Sequence, residues 1–584
     1  MFCGKINFYE KTNLVGKHRK NVIFENENMH IESYEAKGMV RGWSTKINGK
    51  NFYIAFHGEV FNQLELKKDL GATGFHSADI YQLLLLSYYV FGPTFVKKIK
   101  GNFAIAIWDE AKDHLYMARD HLGVIPLFYN PFCGLEFSTS LDVLAKQYPQ
   151  VDMDGLREIF GIGPARTPGT TPFKKIFEIL PGHFAHYTRI GLFHQCYYEL
   201  EAKPHTDNFD TTIETIRDIV TNSIIATVHE KTCSLLSGGV DSTIVTAIAA
   251  KHYEKTYRKK LATFSFDYVD NNKYFSASDF QPQEDRPFVE LAVKNIKPYH
   301  TFLEIDETHL IDYLYKSVDA KALPGMGDID SSILVFLEKI YKEHGYKSFL
   351  TGESADEIFG GYPWFVRPHL IESNGFPWSK DTAVRSFFLE EQLKKQLDLE
   401  EYSRYKYQKS LAKVPVLKGE NKEEARLREI YYLNLQWFMS TLVDRSQRAG
   451  QYIGILPRMP YADPDLVSYM FNVPWSTKLK DGIPKYTLRH AFSDLLPTKL
   501  INRKKSPFPK TYNPAYTEAL GRVLTEQVLT KNSKLYPLLD IQQTKNMINH
   551  HRGPWFGQLM QGPQQMAYLI QIEYWMQKYK IELI

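Results

Sequence analysis

The stretch TCSLLSGGVDSTIVTAIAAKHY, Thr232 to Tyr253, limits the fold of this chain more than any other. Its first six residues have the apolar content of a short buried strand, and its last twelve have apolar residues at helical spacing. Between them Gly238 and Gly239 let the backbone turn tightly, and Ser237 and Ser242 offer hydroxyls. A strand that runs through such a turn into a helix aims unsatisfied amides at one point, an arrangement suited to pyrophosphate. No lysine follows the glycines, so this is not the GxxxxGK[ST] loop of phosphoryl-transfer enzymes. The plain alternative is a capped turn with no ligand. LATFSFDYV reads as a second strand and YKSFLTGE repeats the strand-then-glycine pattern. Strands alternating with helices predict a parallel sheet with its functional loops at the carboxyl edge.

The first two hundred residues have a different rhythm. KNFYIAFHGEVFN, GNFAIAIWDEAKDHLYMARD and GLEFSTS read as strands, the second as a pair joined at Asp109–Asp113. DIYQLLLLSYYVFG, apolar on most faces, reads as a buried helix ended by Gly92. At 584 residues the chain needs more than one core. The predicted architecture is an α+β layered sandwich over residues 1–205, then an α/β parallel-sheet domain over 206–584 whose last part, from about Lys380, is helical. The boundary falls in LEAKPHTDNFD, which is polar and without periodicity.

The 71 basic and 67 acidic side chains leave a net charge of +4, too little to suggest nucleic acid as a partner. Cys3, Cys133, Cys196 and Cys233 are far apart and form no CxxC pair, which argues against a disulfide framework or zinc and for a reducing compartment. No run of about 18 uncharged apolar residues occurs, and Lys5, Glu10, Lys11 and Lys17 interrupt the start. The expectation is a cytoplasmic protein with no membrane span.

A second loop narrows the chemistry. LTGESADEIFGGYPWF puts Glu353, Asp356 and Glu357 directly after a strand, beside Gly360 and Gly361. Carboxylates this close repel one another unless a cation joins them. Asp356 paired with Asp241 suits Mg2+ against phosphate oxygens; an acidic, solvated helix start is the bland reading. With DIDSSILVFLEKI before it, TLRHAFSDLLPTKLINRKKSPFPKTYNPAY after it, and HGEVFN, RDHLGVIPLFY and GPWFGQLMQGPQQMAYLIQ elsewhere, the chain resembles the glutamine-dependent asparagine synthetases from end to end.

That resemblance implies an enzyme using ATP and Mg2+ to adenylate the side-chain carboxylate of aspartate, with ammonia then displacing AMP. It implies that Ser237, Gly238, Gly239, Asp241 and Ser242 cradle pyrophosphate, that Asp241 and Asp356 hold the metal, and that Lys505 steadies the transition state. Glu353 matches a glutamate that handles the amine proton or orients the acyl-adenylate. Phe264, Ser265 and Phe266 fall where adenine would lie, and Asp330, Ser331 and Gly352 match the region around aspartate. A homodimer is implied by the resemblance alone. One departure stands out: in VDRSQRAGQYIGILPRMPYAD, Leu456 occupies a position where glutamate is usual, which opens the question of the acyl acceptor.

The amino-terminal end departs further. Members with a working glutaminase begin Met-Cys-Gly, lose the methionine, and use the cysteine's own α-amine as base. Here Phe2 separates Met1 from Cys3, and His57 replaces the asparagine of the oxyanion hole ahead of Gly58 and Glu59. The segment that would clamp glutamine's carboxylate has only KHRKN and Arg41 as counterparts, and Asp79 is the match for the residue binding its amine. These changes describe a degenerate glutaminase, with Cys3 as an ordinary thiol. Three readings follow: an asparagine synthetase fed by ammonia or glutamine, a relative in which an amine already on the substrate closes an amide or lactam, and a non-catalytic homologue. The presence of Asp241, Glu353, Asp356 and Lys505 together speaks against the last.

Overall fold

The computed structural model describes the chain except residues 9–21, 27–28, 34–39, 278–282, 380, 507, 551–553 and 558–559, with backbone only at 40–43. KHRKN and the side chain of Arg41 therefore lie outside the described residues. The chain divides into two units: Met1–Gly155 with Pro168–Glu199 and Glu582–Ile584, and Leu156–Thr167 with Leu200–Ile581. The division at Glu199–Leu200 lies a few residues before the expected one. Leu156–Thr167 belongs with the second unit because its carbonyls are tied there: Tyr568 bonds Ile159 at 2.8 Å and Arg385 bonds Gly163 at 2.7 Å.

The first unit holds two six-stranded antiparallel sheets. In one, Phe2–Ile6 lies between Met29–Ser33 and Leu135–Ser138. In the other, Lys50–Val60, Gly101–Asp109 and His114–Arg119 form the centre. Alternation gives the second sheet two apolar faces. Ile54, Phe56, Phe103, Ile105 and Ile107 pack with Leu83–Leu86 of the helix Ile80–Phe91. Tyr53 and Trp108, on the opposite face, meet Phe24 of the first sheet, with ring centroids at 4.3 and 6.3 Å. The helix stops at Gly92, whose φ of +71° a side chain would strain.

The second unit is built on a five-stranded parallel sheet in the order Tyr299–Ile305, Ala262–Tyr268, Thr232–Leu235, Ser348–Leu350, Leu456–Arg458. Thr232–Leu235 is central and feeds the helix Val240–Tyr257, so the glycine loop opens at the carboxyl edge of the sheet. The first and last strands carry no signal in the sequence. Among the described residues no helix is long and apolar enough to cross a membrane.

Candidate active site

The loop Leu236–Gly239 is held open by its own side chains. Ser237 and Ser242 hydroxyls lie 2.9 Å apart, Ser242 also accepts from the Ser237 amide at 3.2 Å, and Thr243 donates to the Gly239 carbonyl at 2.7 Å. Gly238 sits at φ +70°, and a Cβ there would come within 2.7 Å of the Val289 amide nitrogen. Only glycine fits. The second loop presses on the first: a Cβ on Gly352 would lie 2.7 Å from the Ser242 nitrogen. This contact carries Glu353 and Asp356 to the edge where the first helix begins.

Charges converge there. The Lys485 ammonium lies 2.5 Å from both Asp241 and Asp356, and Lys505 pairs with the other oxygen of Asp356. Burial works against ionisation of Asp356, but the two ammonium groups hold its pKa down at about 2. Asp241, served mainly by Lys485, is lifted above the usual carboxylate range by its burial. Burial and the Asp356 charge push Glu357 up to about 7, against a hydrogen bond from Tyr362 at 2.7 Å. Glu353 accepts from Arg445 at 2.6 Å through one oxygen, while its other oxygen is buried without a partner. Arg503 donates to the Ser237 carbonyl at 3.0 Å and pairs with Asp285, fixing the loop from the far side.

These groups line one cavity of about 290 Å3, shared with Gly352, Phe264, Ser265, Phe266 and an apolar wall that includes Met326, Phe336 and Phe508. Ser265 bonds His300 at 3.1 Å, Phe266 packs on Phe336 and Phe508, and the Phe264 ring packs against His344 and Tyr346. Phe264 therefore gives the cavity little of its ring, which is 1% exposed.

Residues 214–577 match the asparagine synthase family, and residues 45–198 match the glutamine amidotransferase domain. The chain belongs to the asparagine synthase family. It is 39% identical to asparagine synthetase [glutamine-hydrolyzing] 3 of Bacillus subtilis over 98% of this chain and 94% of that protein. Asparagine synthetase [glutamine-hydrolyzing] 1 of the same organism is 25% identical over 79% of this chain and 76% of its own. Asparagine synthetase B [glutamine-hydrolyzing] of Escherichia coli is 22% identical over 82% and 73%.

Not every predicted residue of this synthase lines the cavity. Gly238, Asp330 and Ser331 do not: Asp330 is 2% exposed, one of its oxygens meets Lys321 at 2.9 Å and the Met326 amide while the other is buried without a partner, and Ser331 is fully buried and donates to Gly327. Met326 and Ile333 of the same segment line the cavity instead. Leu456 is corrected too. It pairs with Ser348 at the amino end of adjacent strands, whereas the loops that line the cavity leave the carboxyl end, so a missing carboxylate there does not alter the cavity. Lys485 was not foreseen. It sits in GIPKY, and nothing in its spacing separates it from Lys480.

In the first unit the expected pieces are dispersed. Cys3 is inside a strand, paired with Glu32 and Ser138, and its thiol donates to Glu32 at 3.7 Å. Paired residues share a face. Gly4, Ile31 and Phe24 are paired on the face that meets Trp108, so Cys3 and Glu32 point the other way, away from the sheet that holds His57. Phe2 is fully buried, stacks edge-on with Phe137, and exchanges hydrogen bonds with Thr139. His57 is 2% exposed, burial drives its pKa well below the usual histidine value, and Nδ1 has no partner. Asp79 is exposed and caps the helix Ile80–Phe91 through the Gln82 amide. Gly58 keeps φ +130° because Asn102 leaves no room for a side chain, and Glu59 pairs with Asn102 in the strand ladder.

Proposed function

We propose that the second unit adenylates the side-chain carboxylate of aspartate with ATP and passes the acyl group to ammonia, yielding asparagine, AMP and pyrophosphate. The observation that carries this reading is the convergence of the glycine loop, Asp241, Asp356, Lys485 and Lys505 on one cavity. Attack on the α-phosphorus breaks the bond to the β-phosphate oxygen, and negative charge grows on pyrophosphate. The Gly239 amide and the first turn of Val240–Tyr257 meet that charge, with the Ser237 and Ser242 hydroxyls exchanging their bond to each other for bonds to phosphate. Lys505 and Lys485 supply the mobile positive charge.

Asp241 and Asp356 fit Mg2+: both are carboxylates, the hard oxygen donors this ion prefers, and Asp241 has a buried oxygen without a partner. When bound, Mg2+ neutralises phosphate charge as a Lewis acid. Attack of ammonia on the acyl-adenylate leaves a proton to remove, and the unpartnered oxygen of Glu353 is the acceptor in this reading, held in place by Arg445.

The nitrogen enters as ammonia, free or released from glutamine, and the geometry of the first unit favours the free form. Cys3 faces away from the sheet that holds His57, the Met1 ammonium acts on both, and the nitrogen of Cys3 is a strand amide. The adenylation step is tested with aspartate carrying 18O in its side-chain carboxylate. One labelled oxygen is expected in the phosphate of AMP; label found in pyrophosphate or retained wholly in asparagine rejects acyl-adenylation.

A further inference from the structure

The position of Lys485 holds more than a phosphate contact. Its side chain is buried, with one ammonium between two carboxylates at 2.5 Å each. The space is shaped for that side chain: a Cβ on Gly361 would lie 2.4 Å from the Lys485 Cε and 1.9 Å from an Asp356 oxygen. Lys485 itself stands at φ +58°, a backbone conformation that side chains seldom adopt, just ahead of the helix Tyr486–Ala491. Two buried carboxylates facing one another need a cation between them. In the chain without nucleotide, Lys485 is that cation.

We propose that Lys485 is a resident counter-ion: it occupies the divalent-metal position between Asp241 and Asp356 until metal and nucleotide arrive together, then leaves the carboxylates for the pyrophosphate oxygens. The inference rests on the reading of Asp241 and Asp356 as metal ligands. Its logic is charge balance. Lys485 and Lys505 already pair with Asp241 and Asp356, with Arg489 and Glu357 beside them, so a divalent ion entering alone adds two positive charges where the carboxylates have their cations. Nucleotide phosphates restore the balance and give the displaced ammonium a new partner. The lysine thereby makes metal binding conditional on nucleotide and keeps the carboxylates apart from the bare ion.

The test is electron paramagnetic resonance titration of the full-length protein with Mn2+, with and without ATP. Wild type is expected to bind Mn2+ weakly alone and strongly with ATP. Lys485→Met is expected to bind Mn2+ without ATP at least about tenfold tighter than wild type does. Lys485→Gln, which keeps a polar end, is expected to gain in the same direction, and Lys485→Arg to gain nothing. Adding Asp241→Asn to Lys485→Met is expected to erase the gain. A gain of affinity cannot come from a misfolded site. Equal or weaker apo binding in both neutral variants, with wild type still binding Mn2+ in the presence of ATP, overturns the counter-ion role alone. Absence of Mn2+ binding in wild type with ATP and in both variants overturns the metal assignment beneath it.

Discussion

Asp241 and Lys485 are 244 residues apart in the chain and 2.5 Å apart in space, whereas Cys3 and His57 lie on different sheets and Cys3 turns its side chain away from the sheet of His57. Both units keep motif residues. In the second, Asp241 and Asp356 stand at the carboxyl edge of a parallel sheet, where successive strands deliver their loops to one place, and Lys485 and Lys505 reach them from the helical part that follows. In the first, what survives is what the fold needs. Gly58 stays because a neighbouring carbonyl leaves no room, and Asp120 stays because it accepts the amides of Val124 and Ile125. Retention of a motif thus has two causes, and only geometry separates them.

The comparison can be broken most sharply at Asp241. Asp241→Asn is expected to lower pyrophosphate release by about 10²–10³-fold or more while the protein keeps its thermal transition; a fall of only a few-fold places the chemistry elsewhere. Lys505→Met is expected to cost about 10²-fold in kcat, with a smaller change in KM for ATP, because it acts on the charge that develops during the reaction. In the first unit the large effect is structural. Phe2→Ala removes a fully buried ring and is expected to destabilise that unit by about 3–5 kcal/mol in a denaturant melt, with ammonia-dependent turnover intact at low temperature. Leu456→Glu, which restores the side chain usual at that position, is expected to leave KM for aspartate unchanged and to shift stability by about 1 kcal/mol at most. The smallest effect belongs to Cys3→Ser: no change in ammonia-dependent activity. A loss there returns the thiol to the mechanism.

Much of this architecture is legible in the residues. The glycine loop is a local device, since strand, turn and helix start are contiguous, so SGGVDS announces its own backbone. The paired strands Gly101–Asp109 and His114–Arg119 are short apolar runs buried on both faces and joined by a recognisable turn. What escapes is non-local. Tyr299–Ile305 is an edge strand with a mixed exposed pattern, and Leu456–Arg458 is three residues long and contains a proline, so neither reads as sheet. Lys485 becomes distinctive only once two distant carboxylates close on it. Asp330 shows the opposite case: a carboxylate in the right segment that turns one oxygen to Lys321 and a backbone amide and does not line the cavity.

The measurement that bears most directly on the contrast between the two units is the initial rate of pyrophosphate release from MgATP and aspartate, with ammonium in one series and glutamine in the other. The account predicts turnover with ammonium and none above background with glutamine. Equal turnover with both would contradict it, because the first unit would then be releasing ammonia from a site whose residues stand apart; silence in both would remove aspartate as the acyl substrate.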